Sequence, residues 1–482
     1  MRVPPVTDHV LTELGSTGGG PDALALLARD QDTRRLLLLR AVLDAVDEAD
    51  EALCPAALRS RLLDDWALLV AADAPPPKRA EPTAQRTGAP SPARERLLHP
   101  LVGPWAQSCL SALDRRTTAA GAHRLRRDLA HFSALAAAAA ARADLSFTVR
   151  LTAHDGVLDL PSIGTLRIPH ATDRELEVRN AEGRLTVRQH DAADVTVHPE
   201  RGTGGWSGAA GWTSAYALPA LTPAAAPVPL DDLGPYRAGP GGSGYPGLGG
   251  PGEPGDAERK QWLQAWSGTS VELRLGGDQR LLEAATLLRG LVPLTSPDDS
   301  GSDDTMGGTC SGTRPEAFGA VLSTAPPAPD VFAVTLVHEL QHTKLVALSQ
   351  LVTLHQAGPD RRYFAPWRTG PRQFDGLFQG TYSHLALADF FQQRALTAAH
   401  HPDREAAWSA HARCREQVAA ALPVLAGSPD LTVPGRRFVD EMIGRYERMA
   451  QHRPPRHHVV RAQAYVAAAR ALFEVRRTRP TG

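Results

Sequence analysis

The sequence predicts an α+β protein that is predominantly helical, carries a small antiparallel sheet, and is neither a cupin nor a double-stranded β-helix. Three observations predict it. Long stretches toward both ends repeat apolar residues at helical intervals, a short middle stretch alternates apolar and polar residues between turn signals, and a Gly/Pro-rich segment follows it. A chain of 482 residues is too long for one ordinary core. Composition divides it into an N-terminal helical region (1–143), a small β-rich region with a Gly/Pro-rich loop (144–257) and a helical region carrying the metal motif (258–482).

After Gly18 to Gly20, residues 22–70 read as helices; from Gln31 to Val46 good helix formers combine with apolar residues at helical spacing. Residues 73–97 hold prolines and polar residues without periodicity and read as an exposed connection. Helix resumes over roughly 99–143. The alanine-rich run Phe132 to Ala141 is too short to span a bilayer and suits close packing against a neighbour. Leu145 to Ala153, Gly156 to Leu160, Gly164 to Ile168 and Leu185 to Arg188 read as short antiparallel strands. They form either an ordinary sheet over helices or a surface that takes a peptide by strand addition. Gly239 to Gly255 reads as a mobile loop or linker.

From 258 the chain is mostly helical again. Gln261 to Trp266 and Arg280 to Arg289 are helix candidates, followed by a polar loop at 296–313 and a strand from Phe318 to Ser323. A long helix runs from about Asp330 to His355, with later helices over roughly 376–399, 403–423, 436–450 and 459–475.

Lysine plus arginine totals 52 against 53 acidic residues, a net charge of -1, so no field draws the chain to nucleic acid. Four cysteines, at 54, 109, 310 and 414, form no CxxC pair and no compact disulfide framework. The N-terminus lacks the apolar run of a secretory signal, and no segment is long and apolar enough for a membrane, so the expected compartment is the cytoplasm.

The chemistry centres on His338-Glu339-Leu340-Gln341-His342. An i, i+4 spacing puts both imidazoles on one helix face, the geometry by which a helix offers two nitrogens to one ion. The site needs a third ligand. The extended zinc-protease pattern requires glycine at 345 and histidine at 348, where the chain has Leu345 and Leu348. His355 would lie ~20 Å farther along the same helix, at about 1.5 Å rise per residue. His384, early in the next long helix, is the favoured third ligand, with Asp389 and Glu405 as weaker alternatives. His400 and His401 lie at a helix end and His457 and His458 close after two prolines, where surface caps explain them as well as ligation does. Between the ligand helices, Arg361 to Arg368 offers aromatic residues and arginines; Arg368 is the favoured carboxylate clamp, with Tyr363 beside it and Arg314 as a second candidate. The plainer reading has this loop packing on the helices with its arginine outward.

Several segments together resemble one family: Arg34 to Arg40, Ala317 to Val321, Leu336 to His342, Tyr363 to Arg368 and Gly376 to His384. The chain resembles the HExxH-motif peptide-modification proteins associated with radical-SAM/SPASM enzymes of ribosomal peptide biosynthesis. The resemblance implies an iron(II)/2-oxoglutarate-dependent dioxygenase that hydroxylates a β-carbon in a precursor peptide, on a fold distinct from the usual double-stranded-helix oxygenases. It implies His338, His342 and His384 as iron ligands, and a separate radical-SAM enzyme as a partner. Two other readings stand beside it. One is a zinc peptidase with Glu339 as general base; the other is a non-catalytic module that recruits a peptide or partner.

Overall fold

The structure is a computed structural model and describes residues 6–74, 90–114, 119–169, 172–189, 192–238, 248–296, 310–368 and 370–478. The chain opens with six helices: α1 (Asp8–Gly15), α2 (Pro21–Glu48), α3 (Ala56–Asp73), α4 (Pro92–Leu97), α5 (Val102–Asp114) and α6 (Ala119–Arg142). Ten strands follow: β1 (Phe147–Ala153), β2 (Val157–Leu160), β3 (Gly164–Arg167), β4 (Arg174–Ala181), β5 (Arg184–Arg188), β6 (Val195–Pro199), β7 (Gly205–Trp206), β8 (Trp212–Ser214), β9 (Tyr216–Leu218) and β10 (Val228–Leu230). Then come α7 (Asp256–Glu272), α8 (Gln279–Leu287), β11 (Gly290–Pro293), β12 (Ser311–Thr313) and β13 (Ala320–Ser323). The chain finishes with α9 (Pro329–Leu351), α10 (Phe374–Thr397), α11 (His401–Ala426), α12 (Val433–Arg448) and α13 (Arg456–Thr478).

The predominantly helical α+β class holds, and the sheets are small and open. Two are antiparallel, in the orders β1-β4-β5-β6-β7 and β2-β3-β8. The third, β12-β13-β11-β10-β9, is mixed, because β10 pairs parallel with β11 and β11 parallel with β13. β11 and β13 are buried at every position, so they lack the alternation that marks a half-buried strand. β13 was legible from its apolar run, and β11 was not. The strands β7 to β10, each two or three residues long, are too short to show a period within a Gly/Pro-rich segment. Of the expected connection at 73–97, residues 75–89 lie outside the described residues and Pro92–Leu97 is helical; parts of the 239–255 and 296–313 loops also lie outside them.

Three cores are joined by shared helices. The start of α2 packs with α1 and α7 to α12, and its later turns pack with α3 to α6. α6 belongs to the second core on one face and lays Ala137, Ala138 and Ala141 against the first antiparallel sheet on the other. Ala136 to Ala140 are each fully buried, so the alanine run serves close approach on two sides at once. The core around α9 takes residues from before 143, and the mixed sheet takes strands from both sides of 257. The four cysteines are buried and form no disulfide. Among the described residues no helix is long and apolar enough to cross a membrane.

Beneath α9 lies a buried ionic network. Glu283 of α8 faces Lys344 of α9 at 3.1 Å and Arg280 at 3.1 Å, and accepts a hydrogen bond from Gln341 Nε2 at 3.3 Å. Lys344 Nζ also donates to the carbonyls of Thr17 and Gly18, at 3.0 and 2.8 Å. Arg280 reaches Asp389 of α10 at 3.3 Å, and Asp389 in turn pairs with Arg445 of α12. Burial alone would raise the Glu283 carboxyl, but Lys344 and Arg280 outweigh it and hold it below the usual range. Burial lowers Lys344 to about 8 against the opposing pull of Glu283.

Removing one member of such a network strands the others in a low-dielectric interior, at a cost of about 3–5 kcal/mol. Glu283→Ala is therefore expected to lower the urea midpoint sharply, whereas Arg40→Ala, on an exposed helical pair, should leave it nearly unchanged. Equal midpoints for the two variants would contradict this account.

Candidate metal centre

α9 is apolar on most of its circumference, which buries the helix and carries its histidines inward. His338 and His342 present their Nε2 atoms to each other at 3.0 Å, with ring centres 4.7 Å apart. Two nitrogens on one tetrahedral zinc at about 2.0–2.1 Å stand roughly 3.3 Å apart, so the pair is close to ligand spacing. Gln379 of α10 orients the second ring: its Oε1 lies 3.1 Å from His342 Nδ1 and accepts that proton, which leaves Nε2 with a free lone pair. His338 Nδ1 is buried without a hydrogen-bond partner. Burial, reinforced by the neighbouring imidazoles, holds His338 far below its ordinary pKa and therefore neutral, as a ligand must be.

α10 supplies His384. Its Nδ1 donates to the Gly380 carbonyl at 2.8 Å, leaving Nε2 as the ligand atom, and burial lowers the ring to about 4. Trp367 stacks on it, with centres 4.6 Å apart and planes at 22°. That stack depends on Gly380, where a Cβ would come within 2.2 Å of the Trp367 ring. The His384 ring centre is 5.6 Å from that of His338. His384 thus lies beside the pair without closing on it: the described His/Cys/Asp/Glu triad whose ligand atoms all fall within 4.8 Å is elsewhere, at Glu405, His457 and His458.

Glu339 is 2% exposed, and its Oε1 accepts a hydrogen bond from Ser311 Oγ at 2.7 Å. Ser311 lies on β12, the end strand of the mixed sheet, so one sheet edge runs beside the motif.

The other assigned residues do not gather here. Arg314 spends its donors on Glu316 at 2.7 Å and on the carbonyls of Tyr236 and Ala238. Tyr363 packs edge-on against Phe374 under Arg361. Arg368 lies on the exposed side of its loop. Asp389 is held by Arg280 and Arg445, which removes it as a ligand. α9 stops at Leu351, and His355 pairs instead with Leu431.

These placements overturn the expectation of an iron(II)/2-oxoglutarate dioxygenase. The open sheets do not build the double-stranded β-helix on which such oxygenases hold their iron and keto acid. The closed His-His-Glu cluster and the HExxH helix leave metal binding in place and the oxygenase cofactor without support. No family model matches the chain, and no curated protein matches it.

Gln379 and Ser311 were not found by sequence reasoning. Gln379 stands in the Gly376 to His384 segment but carries no motif, and Ser311 sat in what read as a polar loop. A separate pocket was also missed, because its lining is scattered through the sequence. Arg96, His99, His131, Asp159 and Asp231 all face it. Burial, aided by Asp231, raises the Asp159 carboxyl to about 7.

Two outcomes follow. Gln379→Leu removes the partner that aims His342, and zinc affinity should fall about 10- to 100-fold in a chelator competition, with the far-UV spectrum unchanged. Undiminished affinity would refute the orienting role. For Asp159, the unfolded carboxyl titrates near its ordinary 3.8 and the folded one near 7, so the folded chain binds more protons between those values. Stability is lost as pH rises through that window. Asp159→Asn should therefore gain in Tm over the unsubstituted protein between pH 4 and pH 8, and a constant difference would contradict the assignment.

Proposed function

We propose that the protein is a zinc-dependent peptidase in which His338 and His342, with His384 beside them, hold the metal and Glu339 is the general base. The observation that carries this reading is the meeting of the two Nε2 atoms at 3.0 Å on a helix whose Glu339 is tied to the edge strand β12. His338 and His384, both kept neutral by burial, and the orphaned His338 Nδ1 fit a nitrogen-rich zinc site. Bound zinc would supply acidification of a water and polarisation of a carbonyl.

The chain's own residues account for the remaining requirements. The end strand β12 presents a free backbone edge among the described residues, which suits an extended peptide added as a further strand. A peptide in that register passes over Glu339. The Glu339 carboxylate takes the proton from the attacking water as its oxygen bonds to the scissile carbonyl carbon. It then returns that proton to the departing amine nitrogen as the C–N bond breaks. Ser311 holds one carboxylate oxygen in place during both transfers. The Trp367 stack and the buried flank of α10 exclude water from the His384 side.

The test is digestion of a mixed peptide library by chelator-stripped protein, with and without about one equivalent of zinc, read by mass spectrometry. Zinc should restore cleavage into fragments that together gain one water. Glu339→Gln should retain zinc and lose about 10²- to 10⁴-fold in rate. Cleavage that survives in Glu339→Gln, or a zinc-loaded protein that cuts nothing, would overturn the reading.

A further inference from the structure

We infer a second divalent-metal site, made by Glu405, His457 and His458, that fastens the C-terminal helix α13 to α11. It lies apart from the HExxH helix, and its three ligands come from the first turns of α11 and α13. Glu405 Oε2 is 3.1 Å from His458 Nε2 and 3.3 Å from His457 Nε2. One ligand atom from each residue falls within 4.8 Å of the other two. A tetrahedral zinc at about 2.0–2.1 Å from each ligand sets those atoms roughly 3.3 Å apart, so both measured separations already match.

The surroundings fit a bound ion better than a plain surface ion pair. His458 is 6% exposed, and its Nδ1 is buried without a hydrogen-bond partner. The His457 ring lies tilted against that of His458, at 3.9 Å between ring centres, and is 59% exposed, which leaves an open side for water or a further ligand. Two imidazoles and one carboxylate are a donor set that suits zinc, with copper the stronger competitor for it.

The site has a mechanical meaning. Much of α13 beyond its first turn is exposed, including Val460, Tyr465, Leu472 and Val475. A metal bridge at its first turn would hold the helix where apolar burial alone is thin.

The experiment uses the full chain, stripped with a chelator and dialysed against low micromolar zinc, with bound metal counted by atomic emission. About two zinc ions per chain are expected in the unsubstituted protein. His457→Gln/His458→Gln, which keeps polar side chains facing Glu405, should bind about one, and so should His338→Ala/His342→Ala. Zinc should also slow hydrogen exchange at the first turn of α13 in the His338→Ala/His342→Ala protein. The inference fails if the His457→Gln/His458→Gln protein binds as much zinc as the unsubstituted one. It fails equally if His338→Ala/His342→Ala binds none. A failure of the HExxH reading alone gives a different pattern: about one zinc per chain, unaffected by His338→Ala/His342→Ala and lost with His457→Gln/His458→Gln.

Discussion

The salt-bridged carboxylate of Glu283 is the fixed point of this molecule. It is buried beneath the metal-motif helix, and Lys344, Arg280 and Gln341 converge on it from two helices. Asp389 and Arg445 extend the contact to α10 and α12, so four helices are positioned by one set of charges. An apolar core would hold the same helices together, but it tolerates rotation and sliding more readily than paired charges do. Gln341 sits between His338 and His342, and Lys344 follows within the next turn. The rotation of α9 about its axis, which decides where both histidines point, is thus set from the opposite side of the helix.

The site itself is assembled from three directions. α9 gives the paired imidazoles, α10 gives His384 and the Gln379 that aims His342, and the edge strand gives Ser311 to Glu339. Each orienting contact is local and short, while the placement of the elements is long-range. Gln379 holds His342 at Nδ1 and the Nδ1 of His338 is buried, so the two Nε2 atoms are the ones that face each other.

How much of this could be read from the sequence depends on the kind of signal. The helices announced themselves by period, and the expected 376–399 and 403–423 appear as Phe374–Thr397 and His401–Ala426. His338 and His342 were legible because i, i+4 spacing is itself geometry. His384 was legible as a neighbour, since a helix following a loop of that length must return alongside. Of the mixed sheet only β13 was legible, from its apolar run; β11, buried at every position, and the short strands β9, β10 and β12 were hidden. The oxygenase reading rested on likeness of segments such as Tyr363 to Arg368. In the fold, Trp367 packs on Gly380 and His384 while Arg368 faces outward. Glu405 was weighed as a ligand beside His338 and His342, whereas in the fold it pairs with His457 and His458, more than fifty residues downstream, which only α13 brings to it.

Lys344 is capped by the carbonyls of Thr17 and Gly18, residues separated from it by 327 and 326 positions. A contact of that span ties α9 to a turn more than three hundred residues before it. Thr17 and Gly18 are made before Lys344, so their carbonyls wait for α9, and Asp389 waits longer for Arg445. The seat that aims His338 and His342 therefore closes only once the residues up to Arg445 are present.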